Sequence, residues 1–117
     1  MDDALDIEVV QPEAGRAIVV FKGEHDLAQV EALGDRLSAL VDANELVVAD
    51  FSDAEFVDSS IISLLLETKR RAEARMSGFR VQMGTECVVY RVFEIAGVLS
   101  LLECAPSHDE ALGPEMP

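Results

Sequence analysis

Basic residues are scarce in this sequence, and their scarcity argues against two large classes of partner. The 117 residues include nine Lys and Arg against 23 Asp and Glu, which gives a formal net charge of −14. Nucleic acids and anionic membranes require a basic face on the protein, so we expect neither a nucleic-acid partner nor membrane binding. The same imbalance favours a protein partner that carries a basic docking surface.

Long apolar runs and cysteine motifs are also missing. The longest apolar stretch, residues 61–66, is far too short to span a bilayer. Residues 1–6 are acidic where a signal peptide is basic, so we expect a cytoplasmic protein. The two cysteines, Cys87 and Cys104, fit no zinc or redox spacing. They are therefore expected to be buried as small hydrophobic residues rather than joined in a disulfide.

What the sequence does contain is the composition of a globular domain. Half of the residues are hydrophobic and 27% are charged. A chain of this length is one domain that can bury a core without a metal or a disulfide. We expect a single domain over residues 1–117, with its core within about residues 5–112. The short C-terminal tail is expected to be frayed.

The order of hydrophobic patterns predicts an α/β domain. Strands are expected at residues 5–10, 17–21, 46–50 and 79–83, with a short fifth strand within residues 99–104. Helices are expected at residues 26–44, 58–75 and 85–97, with a final turn at residues 108–112. Strands that alternate with amphipathic helices indicate a mixed, mostly parallel sheet of four to five strands with about four helices.

Local signals mark the start of the first helix and the side chains expected in the core. Asp26 and Gln29 have the spacing of a capping box. The helical spacing that follows assigns Leu27 to the buried face. Residues 51–57 are expected to form a polar loop in which Phe56 points inward.

Two predicted loops should meet outside the carboxyl ends of the strands, where open parallel sheets carry their functional groups. The acidic residues of these loops are Glu24, Asp26, Asp50, Asp53, Glu55 and Asp58. Ser59 and Ser60 follow at the start of a helix, where a hydroxyl can face solvent. A phosphate on Ser59 would face free backbone N–H groups and add about −1.5 to −2 charges beside Asp58. The alternative is that one of the two serines simply caps the helix.

In order and spacing, these motifs resemble the STAS domain family, in particular its anti-sigma factor antagonists. Gly-Glu-His-Asp at residues 23–26 resembles the family's G-E-x-D turn. Residues 47–50, followed by Phe-Val-Asp-Ser-Ser at residues 56–60, resemble its strand, loop and D-S-S segment. Softer matches lie at residues 92–98 and 107–112. The resemblance implies a STAS-like single domain.

This resemblance also implies a switch protein rather than an enzyme. Such proteins bind an anti-sigma factor, commonly a serine kinase with a GHKL-type ATP fold, and thereby release a sigma factor. The kinase would phosphorylate Ser59, and a PP2C-type phosphatase would reverse the reaction. The chain would need no cofactor of its own, because ATP and Mg²⁺ belong to the kinase. The partner-binding residues are expected to be Glu24, His25, Asp26, Asp58, Ser60 and Ile61.

Two residues depart from the family's usual pattern. Ile61 stands where glycine is usual, and it either adds bulk beside Ser59 or packs inward. His25 replaces an aliphatic residue and is expected to face solvent. These departures leave open an alternative function, in which a non-phosphorylated STAS domain serves as an accessory or scaffold subunit of a transport or signalling complex.

Two other classes of protein fit the sequence less well. A phospho-aspartate receiver also has acids at strand ends, such as Asp50, but the two lysines, Lys22 and Lys69, lie in the wrong places for it. An enzyme that uses Cys87 would need a nearby base, and neither histidine lies close to that cysteine in the sequence. The histidines also lack the spacing of a metal site, so no metal is expected.

Overall fold

The sheet has a strand order that follows the order of the chain. The computed structural model describes residues 5–102 and 104–105. Its five strands are β1 (Ile7–Glu13), β2 (Arg16–His25), β3 (Leu46–Val57), β4 (Gly78–Gln82) and β5 (Cys104–Ala105). They lie in the order β1-β2-β3-β4-β5, with β1 antiparallel to β2 and every other neighbouring pair parallel. The predicted α/β domain with a mixed, mostly parallel sheet is therefore confirmed.

Three α-helices connect the parallel strands of the described chain. A short 3₁₀ turn at Leu27–Gln29 leads into α1 (Val30–Ala43), α2 (Ser59–Ala74) follows β3, and α3 (Tyr90–Ala96) follows β4. The predicted final turn, and with it the tail, lies outside the described residues. No helix in the described part of the chain is long and apolar enough to cross a membrane.

The central strands β2 and β3 extend well beyond the lengths that the sequence predicts. The supposed polar loop at residues 51–57 is the second half of β3, so that prediction is wrong. Its buried residues, Phe51, Ala54 and Val57, recur every three positions rather than every two. The pairing of β2 with β3 shifts register at two places, and such bulges break the alternation by which a strand is recognised.

A row of three aromatic rings ties the sheet to α3. The rings of Phe21 on β2 and Phe51 on β3 are stacked, with their centroids 4.4 Å apart and their planes at 9°. Phe93 of α3 meets Phe51 edge-on, with the centroids 5.4 Å apart. All three side chains are fully buried. Phe51 thus contacts both neighbours, and its removal would leave a cavity at the centre of the core.

Helices α1 and α2 pack side by side in the same hydrophobic cluster as the aromatic row. Leu37 of α1 and Leu65 of α2 are fully buried there. On the surface, the Arg71 guanidinium binds the Asp42 carboxylate through two hydrogen bonds of 3.0 and 2.7 Å. This pairing lowers the pKa of Asp42 and joins the outer faces of the two helices.

Two apolar side chains that the sequence assigns to the interior lie at the surface instead. Leu27 is 70% exposed and Phe56 is 47% exposed. Leu27 precedes the first residue of α1, so the helical spacing that fits the later residues does not apply to it. Phe56 lies next to buried Val57 in an extended strand, and adjacent strand residues point to opposite sides.

Both cysteines are free and partly buried in the described structure. The Cys87 thiol donates a hydrogen bond of 3.0 Å to the backbone carbonyl of Phe51. Burial raises the pKa of the Cys104 thiol to about 11. A thiol with so high a pKa is protonated at neutral pH and is a poor nucleophile.

Two phenylalanines on the same strand test this account of the core. We expect Phe51→Ala to lower the free energy of unfolding by about 3–5 kcal/mol, because it leaves a cavity between two rings. Phe56→Ala removes the same atoms from an exposed position and should cost less than about 1 kcal/mol. Urea unfolding of both variants measures the difference. Equal losses would mean that the assignment of inner and outer residues along β3 is wrong.

Candidate functional site

The paired ends of β2 and β3 bring the two motif segments together. His25 pairs with Val57 at the last step of the parallel ladder. The next backbone N–H, that of Asp58, donates to the His25 carbonyl over 3.3 Å. The Gly-Glu-His-Asp segment and the Asp-Ser-Ser segment are therefore neighbours, although more than thirty residues separate them in the chain.

The Asp58 carboxylate links the two segments. Its Oδ1 accepts hydrogen bonds from the backbone N–H of Ser60, over 3.0 Å, and from the Ser60 hydroxyl. Its Oδ2 accepts the backbone N–H of Leu27 over 3.2 Å. One side chain thus caps α2 and also holds the turn that follows β2.

These hydrogen bonds favour the charged form of Asp58. The bond from the Ser60 hydroxyl is the largest cause, and the backbone N–H groups of Ser60 and Leu27 add to it. Partial desolvation acts in the opposite direction but is outweighed, so the pKa of Asp58 lies below its ordinary value of 3.8. The carboxylate is therefore negative throughout the physiological range.

Asp26 caps the turn on the other segment, as the sequence predicts. Its Oδ1 accepts the backbone N–H of Ala28 over 3.0 Å, and the Gln29 side chain accepts the backbone N–H of Asp26 over 3.2 Å. Both halves of the capping box are present. The box opens a 3₁₀ turn rather than α1 itself, which begins at Val30.

The two adjacent serines occupy very different environments. Ser60 is half-buried and its hydroxyl is bound to Asp58. Ser59 is the first residue of α2 and is exposed, and no residue in the described part of the chain hydrogen-bonds to its hydroxyl. Asp58 is the N-cap of α2, so the alternative in which a serine caps this helix is wrong. Ser59 is left with an accessible hydroxyl.

His25 is fully buried, and the expectation that it faces solvent is wrong. The extension of β2 makes His25 a strand residue whose ring meets Phe21 edge-on, with the centroids 5.1 Å apart. Its Nε2 donates to the Lys22 carbonyl over 2.7 Å, while Nδ1 has no partner among the described residues. The ring is therefore removed from the surface that a partner could touch.

Ile61 stands where the family usually has glycine, and the sequence left open whether it adds bulk beside Ser59 or packs inward. It packs inward. Its side chain is fully buried within the main hydrophobic cluster. It adds no bulk to the surface beside Ser59. The prediction of a direct partner contact is therefore not supported for the side chains of Ile61 and His25.

Most of the predicted acidic residues lie at the surface, but Asp50 does not. Glu24, Asp26, Asp53 and Glu55 are exposed. Asp50 is only 5% exposed and lies midway along β3, where its Oδ1 accepts the backbone N–H of Ser52 over 2.9 Å. A receiver needs its phosphoacceptor aspartate at the end of a strand, and Asp50 is not in such a position. Across residues 5–102 and 104–105, no group of three potential ligands is arranged to hold a metal ion.

The topology and the paired motif segments define a STAS domain. Residues 9–103 match the family described as "Mlab, STAS domain", and the chain belongs to this family. No curated protein sequence gives a significant match.

Several solved structures share the fold. An anti-sigma factor antagonist from Mycobacterium paratuberculosis is 25% identical, with a TM-score of 0.79 over 93% of this chain and 92% of that one. The anti-sigma factor antagonist SpoIIAA in its unphosphorylated form is 22% identical, with a TM-score of 0.73 over 89% and 90%. SpoIIAA from Bacillus in its phosphorylated form is 21% identical, with a TM-score of 0.69 over 89% and 93%. SLC26A9 is 15% identical, with a TM-score of 0.67 over 84% of this chain but 19% of its own.

Replacement of Asp58 tests its double capping role. Asp58→Ala should lower the free energy of unfolding by about 1–2 kcal/mol, because two backbone N–H groups lose their acceptor. Asp58→Asn keeps an acceptor oxygen and should cost less. Urea unfolding measures both variants, with Asp35→Asn, an exposed carboxylate of α1, as the control.

The charge of Asp58 should also make this contribution depend on pH. The folded-state pKa lies below the ordinary 3.8, so the extra stability is complete above that pH and is lost as the pH falls through the folded-state value. The stability advantage of the wild type over Asp58→Asn should therefore disappear in strong acid. An advantage that stays constant down to about pH 2 would show that the charge contributes nothing.

Proposed function

We propose that this chain is an anti-sigma factor antagonist that is switched off by phosphorylation of Ser59. In its unmodified form it binds an anti-sigma factor, a serine kinase with a GHKL-type ATP fold, and so releases a sigma factor. The observation that carries the proposal is the difference between the two serines. The Ser59 hydroxyl is exposed and unbonded within the described structure, whereas the Ser60 hydroxyl is held by Asp58.

The chain contributes little to the transfer chemistry beyond an accessible nucleophile. The Ser59 oxygen attacks the γ-phosphorus of ATP, its proton passes to a base on the kinase, and ADP leaves. The kinase supplies ATP, Mg²⁺ and the base, and this chain needs no cofactor. A PP2C-type phosphatase hydrolyses the ester and restores the hydroxyl. On this proposal the protein is a regulatory substrate in the cytoplasm and not an enzyme.

Phosphorylation changes the surface charge where α2 begins and does not require a new fold. The product carries about −1.5 to −2 additional charges at neutral pH. The positive end of the helix tolerates them, but the neighbouring Asp58 carboxylate, already ionised, repels them. A partner that binds this surface would have to bury the added charge. Penalties of this kind are about 2–5 kcal/mol, which is enough for a switch.

Similarity to the solved structures supports this proposal. SpoIIAA, an anti-sigma factor antagonist, has been solved in both phosphorylated and unphosphorylated forms. Ile61 and His25, the two departures from the family pattern, are buried and so add no bulk to the surface beside Ser59, which supports the proposal. Of the predicted partner-binding residues, Glu24, Asp26 and Asp58 remain on or near the accessible surface.

A second candidate function is an accessory or scaffold subunit of a transport or signalling complex. The match to SLC26A9, which spans 19% of that chain, favours it, because the same fold occurs there within a much longer protein. Such a subunit would not require the Ser59 hydroxyl. The two candidates therefore differ in their sensitivity to changes at that one position.

Phosphate transfer by a kinase is the first test. Wild type, Ser59→Ala and Ser60→Ala should each be incubated with Mg²⁺, ATP and the purified GHKL-type serine kinases of the host. We expect phosphate on wild type and on Ser60→Ala but none on Ser59→Ala, as measured by mass spectrometry of the peptides. Phosphate on Ser60 would contradict the assignment of the site, and no phosphate on wild type would favour the accessory subunit.

Binding before and after modification is the second test. The phosphoprotein should bind its kinase at least about 30-fold more weakly than the unmodified chain, which corresponds to the lower end of the burial penalty. Ser59→Ala should bind as tightly as wild type, because it carries no charge. Isothermal titration calorimetry measures all three. Equal affinity of the phosphorylated and unmodified proteins would overturn the switch.

A further inference from the structure

Two exposed apolar side chains belong to the two segments that meet at the serine that we propose as the switch. Leu27 is 70% exposed, and its backbone N–H is bound to the Asp58 carboxylate that precedes Ser59. Phe56 is 47% exposed and lies three residues before Ser59 on β3, where its pairing partner is Glu24. Exposed apolar side chains that come together mark interaction sites, and the bond from Leu27 to Asp58 and the pairing of Phe56 with Glu24 bring these two to the same end of the β2–β3 ladder.

The backbone holds both side chains in fixed positions. Leu27 is in the turn that is closed by the capping box and tied to Asp58. Phe56 belongs to the parallel β2–β3 ladder. Anchors on a rigid backbone lose little conformational freedom on binding, so more of their burial appears as affinity.

Both segments that carry this apolar pair are acidic, and the nearest cation in the sequence, Lys22, is paired with Glu8 over 3.0 Å. Residues 23–31 and 53–61 together contain six carboxylates and no Lys or Arg. The six are Glu24, Asp26, Glu31, Asp53, Glu55 and Asp58. A complementary surface must therefore offer an apolar pocket bordered by Lys or Arg side chains. The carboxylates of this chain would repel a partner whose pocket has an acidic rim.

We propose that Leu27 and Phe56 are the apolar anchors by which this chain docks on a protein with a basic-rimmed apolar pocket. The inference rests on the proposed function, because it places the partner over Ser59. Leu27 and Phe56 supply the affinity by entering the pocket. The carboxylates supply long-range attraction, and a phosphate on Ser59, next to the Asp58 that binds the Leu27 N–H, adds charge at the same contact and opposes the burial of the anchors.

Other exposed apolar residues lack this combination of features. Val88, Ile95 and Leu101 lie in or next to α3 and are 68%, 73% and 56% exposed. Their part of the chain has mixed charge, because Arg91 is exposed there together with Glu86 and Glu94. Ile95 is as exposed as Leu27 and so provides a matched control.

The test compares single substitutions in binding to each purified GHKL-type serine kinase of the host. Leu27→Ala and Phe56→Ala should each raise the dissociation constant at least about tenfold, mainly through faster dissociation. Ile95→Ala should change it less than about twofold. Glu24→Gln should slow association at low salt and reduce its salt dependence while leaving dissociation almost unchanged. Surface plasmon resonance at several salt concentrations separates the two rates.

The outcomes separate the failure of this inference from that of the proposed function. If a kinase binds wild type but neither Leu27→Ala nor Phe56→Ala weakens it, the anchors are wrong and the function stands. Loss of binding in Ile95→Ala alone would move the docking surface to α3 and overturn the inference. If no kinase binds but a purified transport or signalling subunit does, with the same dependence on both anchors, the surface is right and the proposed function is wrong. Absence of binding to all of them overturns both.

Discussion

The candidate functional site depends on the parallel pairing of β2 and β3, which continues past two shifts of register. Without the last steps of that ladder, His25 and Val57 would not be neighbours, and the Asp58 N–H would have no carbonyl to bind. The Asp58 carboxylate then completes the connection by accepting from Leu27 and Ser60. A single side chain thereby fixes both the entry to α2 and the turn before α1, and so it positions everything around Ser59.

On the proposed function, the same arrangement explains how this fold carries a switch. Asp58 engages the Ser60 hydroxyl and leaves that of Ser59 accessible, so two chemically identical side chains occupy different environments. A negative group added at Ser59 meets a carboxylate whose lowered pKa keeps it ionised. The proposed modification would therefore act on the surface potential, while the buried aromatic row that holds the sheet to α3 lies in the core. On that proposal, regulation and stability are carried by separate groups of residues.

Several parts of this arrangement were predictable because local chemistry determines them. The capping box of Asp26 and Gln29 needs only neighbouring residues to form, and it is present. The β-branched run of β2 and the helical spacing of α2 likewise identify their elements. The predictions failed where long-range pairing overrides the local pattern. Residues 51–57 are polar enough to suggest a loop, yet two register shifts let them continue a strand and bury Phe51.

The sequence by itself determined the order of strands and helices, the acidic surface and the Asp-Ser-Ser motif, because composition and short-range spacing are properties of the chain alone. Only the tertiary structure decided which side chains face outward. It buried His25 and exposed Leu27 and Phe56, the reverse of what their sequence context suggests, and it selected the inward of the two positions that the sequence leaves open for Ile61. The physical reason is that exposure depends on the register of β2 against β3 and on where α1 begins. Contacts between residues far apart in the chain set both of these.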